Sequence, residues 1–97
     1  MPRYVALLNW TDQGVRTAKD SRQRQRQSEA AFAQVGVRLE TVLWTQGRYD
    51  LVALAEAPDD ETMAAAMLSL AGAGNVRSET LRAFDAEEMG TVLGKLG

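Results

Sequence analysis

The segment order β-α-β-β-α-β-α predicts an α+β domain on one antiparallel sheet: the ferredoxin-like βαββαβ arrangement, with two helices on one sheet face and an extra helix at the C-terminus. Three observations carry the prediction. Four short runs of strand-forming residues recur, at residues 4–10, 37–46, 51–57 and 75–84. Helical spacing fills the two long gaps, between the first and second runs and between the third and fourth. Only a short polar turn, Gly47-Arg48-Tyr49-Asp50, divides the middle pair. Right-handed crossovers then leave few ways to route the chain.

Tyr4-Val-Ala-Leu-Leu-Asn-Trp10 is a short apolar run ended by polar residues, which suits a first strand. Thr11 and Asp12 offer N-cap oxygens for a short helical turn, and Gly14 weakens that turn. Asp20 and Ser21 offer a second cap, for a helix over residues 21–35 that is rich in Arg, Gln and Ala. Its apolar positions crowd the C-terminal half, and Gly36 ends it. Residues 37–46 alternate, with Val37, Leu39, Thr41 and Leu43 expected on one face and Arg38, Glu40, Val42 and Trp44 on the other. Residues 51–57 are nearly all apolar, as expected of a central strand covered on both faces. Pro58-Asp59-Asp60-Glu61 opens the next helix with acidic residues at the positive end of its dipole. Met63, Met67, Leu68 and Ala71 give it helical spacing, and Gly72-Ala73-Gly74 stops it. A fourth strand follows at 75–84, with Val76, Ser78, Thr80, Arg82 and Phe84 on one side. Asp85 and Glu88 form a capping-box pattern before a last helix striped by Met89, Val92, Leu93 and Leu96.

The 97 residues are expected to form a single domain, 1–97, with a thin core that self-association would relieve. The chain has no cysteine and no histidine, which excludes disulfides, thiol nucleophiles, zinc fingers and Ser-His-Asp triads. No metal and no cofactor is expected. A net charge of −2 argues against nucleic acid as a partner. No apolar run approaches the ~20 residues needed to cross a bilayer. Met1-Pro2-Arg3-Tyr4 enters a strand with no leader-like pattern, so the expected location is the cytoplasm.

This routing brings one set of residues together. The first two strands run one way and the last two run the other. The ends of the first pair therefore share a rim with the starts of the second. That rim collects Asn9, Trp10, Trp44, Thr45, Arg48, Tyr49, Asp50, Asn75 and Arg77, the candidate ligand-binding residues. The opposite rim receives Met1, Pro2, Arg3, Val37, Ala57, Pro58 and Phe84, a blander set. The second sheet face also needs a cover, of which the last helix could give a part and a second copy of the chain the rest.

At these residues the chain resembles the GYD-domain family of small bacterial proteins, named for a Gly-Tyr-Asp signature. Here the signature reads Gly47-Arg48-Tyr49-Asp50, set between Asn9-Trp10-Thr11-Asp12-Gln13-Gly14 upstream and Gly74-Asn75-Val76-Arg77-Ser78-Glu79-Thr80 downstream. The resemblance spans essentially the whole chain and implies a ferredoxin-like fold that tends to associate. It carries no activity and no catalytic residues. The run Arg22-Gln23-Arg24-Gln25-Arg26-Gln27 is more basic than the resemblance leads one to expect, and reads as a solvated helix face with Arg22 and Arg26 on one side and Arg24 turned away.

The candidate residues allow several readings. Asp50 with Arg48 or Arg77 makes either an anion clamp or a structural ion pair pinning the turn. Tyr49 anchors a ligand or half-buries at an interface, and Trp10 and Trp44 stack a planar ligand or pack subunits. The expected function is an oligomeric binding or assembly module that holds a small anionic or planar ligand at the rim. One alternative is a cofactor-independent enzyme with an inter-sheet pocket, with Asp50 as base and an arginine stabilising developing negative charge. The other is a purely structural oligomer. Enzymatic activity is not expected, because the rim lacks an obvious proton shuttle.

Overall fold

The structure, a computed structural model, describes all 97 residues. The elements are β1 (Arg3–Trp10), α1 (Asp12–Arg16), α2 (Ser21–Gln34), β2 (Arg38–Trp44), β3 (Leu51–Glu56), α3 (Asp60–Gly72), β4 (Val76–Ala83) and α4 (Ala86–Leu93), with a 3-10 turn at Ala18–Asp20. The four strands form one sheet in the order β2-β3-β1-β4, with every neighbouring pair antiparallel. This is the ferredoxin-like order, and it runs β1 and β2 in the same direction.

Period-two alternation decides which side chains enter the core. Tyr4, Ala6 and Leu8 of β1 and Leu51, Ala53 and Ala55 of β3 are buried on the inner face, under Phe32 of α2 and Met63, Ala66 and Met67 of α3. Only 15 of 97 residues are buried, so the core is thin, as the chain length dictates.

In β2 the expected alternation breaks. The register shifts between Leu39 and Thr41, so Glu40 is an extra residue in the ladder. Leu39 pairs with Ala55, Val42 with Ala53 and Trp44 with Leu51, which puts Leu39, Val42 and Trp44 on the inner face together. Thr41, paired with Leu54, and Leu43, paired with Val52, turn outward. The bulge thus reverses the facing of the second half of the strand.

Helix ends follow the sequence with one exception. The Asp59 carboxylate accepts from the Thr62 N–H at 2.7 Å, and its bonds from Thr62 hold its pKa below the usual carboxylate range. Asp85 and Glu88 complete the capping box in both directions. Asp20 caps nothing with its side chain, because a 3-10 turn leads directly into α2.

Tyr4 joins the core to α3. Its ring is buried, and its hydroxyl donates to Asp60 Oδ1. Burial first, and then the bond to the Asp60 carboxylate, push the phenol up to about 12. A pKa raised on folding means that the native state holds its proton longer than the unfolded chain. The stabilisation is complete below the ordinary phenol value of about 10 and disappears as pH rises from there through about 12. Thermal melts across that window should show wild type losing stability more steeply than Tyr4→Phe. Parallel curves would contradict this placement.

The molecule has two layers over most of its extent, and the outer sheet face has no helix over it. Across that face run the rows Leu54-Val5-Leu81 and Leu43-Val52-Leu7. Leu43, Leu54 and Leu81 are 57, 40 and 44% exposed. β3 is therefore central but covered on its inner side alone within the chain. The last helix does not supply the missing cover. α4 buries no residue, and Met89, Val92, Leu93 and Leu96 stay exposed. Ion pairs from Arg3 to Asp85 and Glu88, and from Arg82 to Glu88, tie its beginning to the sheet. The Cα radius of gyration is 14.5 Å and the longest dimension 51 Å, where a compact chain of this length would have a radius of ~12.5 Å. No helix is long and apolar enough to cross a membrane.

Candidate functional site

Chain routing places the polar turn between β2 and β3 beside the end of β1 and the start of β4. Asp50 N–H donates to the Leu8 carbonyl at 2.9 Å, and Thr45 N–H donates to the Asp50 carbonyl at 2.8 Å. Thr11 N–H donates to the Asn75 carbonyl at 3.1 Å. Asn9 pairs with Arg77 and Trp10 with Val76 across β1 and β4. The four segments containing Asn9, Trp44, Tyr49 and Asn75 thus meet at one rim.

Local chemistry explains each side chain. Gly47 has φ 110°, a left-handed conformation that only glycine adopts without strain, so the tight turn needs it. The Asp50 carboxylate accepts the Trp10 N–H at 2.9 Å, at the point where the sheet ladder runs out of partners. It forms no ion pair with Arg48 or Arg77, so the reading of a structural ion pair at the turn is corrected: Asp50 pins the rim through a backbone N–H. Tyr49 reaches across the outer face and donates to Glu79 Oε1 at 2.9 Å. That bond, with some burial, raises its pKa, so the phenol is held as a neutral donor. Trp44 Nε1 donates to Ser21 Oγ at 2.8 Å and fastens β2 to the start of α2. Thr45 Oγ1 donates to the Tyr49 carbonyl inside the turn. Asn75 Oδ1 accepts from Gln13 at 3.0 Å. Arg48 lies over the Tyr49 ring, 6.0 Å from its centroid, and Arg77 projects from the outer face. Neither arginine forms an ion pair, so the rim carries two cations without carboxylate partners.

The short helix α1 holds the rim together from one side. Thr11 Oγ1 caps α1 by accepting the Gly14 N–H and donates to the Gly74 carbonyl. Gly14 is buried against Asn75, and a Cβ at this position would lie 2.0 Å from the Asn75 carbonyl oxygen. The glycine that weakens α1 as a helix is what allows this contact.

The other rim is not bland. Arg3 pairs with Glu40 and Glu56, and Arg38 pairs with the same two carboxylates. With Asp85, Glu88 and Arg82 they form a connected ionic network. The register row joining Arg3, Glu56 and Arg38 was the available signal, since it follows from strand pairing.

A cavity of about 300 Å³ opens on the inner face, between α2 and α3. The two helices both lie on the sheet, α2 against β2 and α3 against β4, with few close approaches of their backbones to one another. Of the candidate residues, Trp10 and Asn75 line this cavity and the other seven do not.

A four-stranded antiparallel sheet with this order, flanked by helices and closed at one rim by a Gly-Arg-Tyr-Asp turn, defines a ferredoxin-like α+β domain. The chain belongs to the GYD domain family, whose model matches residues 4–93. A curated relative from Thermus thermophilus, the glutamine synthetase and cystathionine beta-lyase binding protein, is 33% identical over 90 residues, covering 92% of this chain and 95% of that protein. The crystal structure of TTHA0845 from the same organism is similar with a TM-score of 0.58 at 26% identity, covering 89% of this chain and 96% of that one.

Proposed function

We propose that the chain is a self-associating binding module, in which copies meet through the outer sheet face and the rim arginines Arg48 and Arg77 receive a small anionic or planar ligand. The observation that carries this reading is the composition of the outer face. Its two middle rows are apolar over three of their four strands, ending in Thr41 on β2 and Glu79 on β4, while the rows at either end are polar, with Asn9 and Arg77 at one end and Arg3, Arg38 and Glu56 at the other. An apolar patch bounded by polar residues is the usual mark of an interaction surface. A thin core and an uncovered α4 favour association for the same reason. The relative's name describes a protein that binds other proteins, which favours a binding module over a catalyst. At the rim, the Asp50 carboxylate accepts the Trp10 N–H and the Tyr49 hydroxyl donates to Glu79, so both groups already serve contacts within the chain.

A thermal-shift series tests the rim half of this reading. Carboxylates, nucleotides and aromatic acids should include compounds that raise the melting temperature of wild type and leave an Arg48→Ala/Arg77→Ala variant unmoved. One unchanged melting temperature across all of them would count against a ligand at the rim.

A further inference from the structure

We infer that the cleft between α2 and α3 is a binding site for a small monocarboxylate with an apolar body, on the inner side of the sheet and separate from both the outer face and the rim arginines. The cleft is open to solvent on one side, a groove rather than an interior void. This cleft measures about 300 Å³. That is room for about ten water-sized groups and lies at the lower end of small-molecule sites, about 300–1,000 Å³.

The walls differ in chemistry. The floor and the α3 side present Leu8, Trp10, Val42, Ala53, Met67 and Leu70. The methionine can adapt to an irregular apolar body. The α2 side is another matter. A helix lying on a sheet is expected to turn an apolar stripe inward. Here Ser21, Arg24, Gln25 and Ser28, spaced to share one face, line the cleft before Ala31 and Phe32 resume the apolar pattern. Half of the helix therefore opposes an apolar floor with polar groups.

Arg24 sets the charge of the ligand. Its guanidinium is held by the Gly14 carbonyl at 3.1 Å and by the Thr17 carbonyl and hydroxyl at 2.9 and 2.8 Å. All three partners are neutral, and no carboxylate of the chain pairs with it. A guanidinium has five N–H donors, so these contacts position the group without exhausting it. Arg22 and Arg26 on the same helix also form no ion pair. One cation fixed at the polar wall of an apolar cleft complements one carboxylate with a hydrocarbon or aromatic body, joined by charge-assisted hydrogen bonds.

Calorimetric titration with straight-chain carboxylates from hexanoate to dodecanoate tests this, with the Trp10 indole resonance as a second readout. Affinity should rise about fourfold per added methylene until the cleft is full, and then level off. The alcohol of the same length should bind about tenfold more weakly or worse. Arg24→Gln should erase that difference between acid and alcohol while keeping the dependence on chain length, which a merely structural role for Arg24 would not produce. Ala31→Phe, which fills the cleft from an exposed helix position, should abolish both and keeps the test open if Arg24→Gln fails to fold. No heat and no Trp10 shift with decanoate would overturn the inference. So would equal affinity for acid and alcohol in wild type, or an acid preference that survives Arg24→Gln.

Discussion

Replacing Gly14 by alanine should destabilise the domain by about 3 kcal/mol, at the upper end of what overpacking usually costs. The added Cβ would sit 2.0 Å from the Asn75 carbonyl oxygen, with the carbonyl carbon at 2.8 Å. Both are backbone atoms, so neither a rotamer change nor a flexible side chain relieves the clash. Either α1 or the turn into β4 must move. Moving the turn breaks the Thr11 N–H bond to Asn75 and the Thr11 hydroxyl bond to Gly74. For a domain of this size the melting temperature should fall by roughly 10–20 °C. Gly72→Ala is the internal control, because its Cβ would meet nothing and its φ is ordinary. That change should be neutral or slightly stabilising, by up to about 1 kcal/mol. Scanning calorimetry of the two variants reads the difference. A Gly14→Ala protein that melts with wild type would mean that α1 does not hold the rim in this way.

If copies meet through the outer face, as proposed, Leu54→Arg should yield folded single chains. Leu54 lies in the middle of the outer face, flanked by Val5 on β1 and Thr41 on β2. It is already 40% exposed in the lone chain, so an arginine there can reach solvent, and surface changes of this kind cost the fold about 0.5 kcal/mol or less. In a face-to-face assembly the same arginine would be a buried charge without a partner, at a cost of several kcal/mol. Light scattering should give 10.6 kDa for the variant, with the circular dichroism of wild type retained. An undiminished mass would show that association uses another surface.

Much of the architecture was legible because it rests on local chemistry. Strand periodicity, the Asp85–Glu88 capping box and the polar turn at Gly47 each have a sequence signature, and together they predict the routing and the convergence of the rim. The features that escaped depend on partners distant in sequence. The bulge at Glu40 is set by pairing with β3, and nothing local reveals that Leu39 and Val42 share a face. Asp50 bonds a backbone N–H, a partner that leaves no trace in residue identity. The ionic network at the far rim draws Arg3, Arg38, Glu40, Glu56, Asp85 and Glu88 from four separate segments. The polar half of α2 was visible as a crowding of apolar residues toward its C-terminal end. Its meaning as one wall of a cleft needed the position of α3.

The solution mass of the unaltered chain, followed by sedimentation through a dilution series, bears most directly on the outer face as an association surface. An exposed sheet with two apolar rows and an unpacked amphipathic α4 predicts a mass of at least two chains that falls only on strong dilution. A species of 10.6 kDa at every concentration would contradict it.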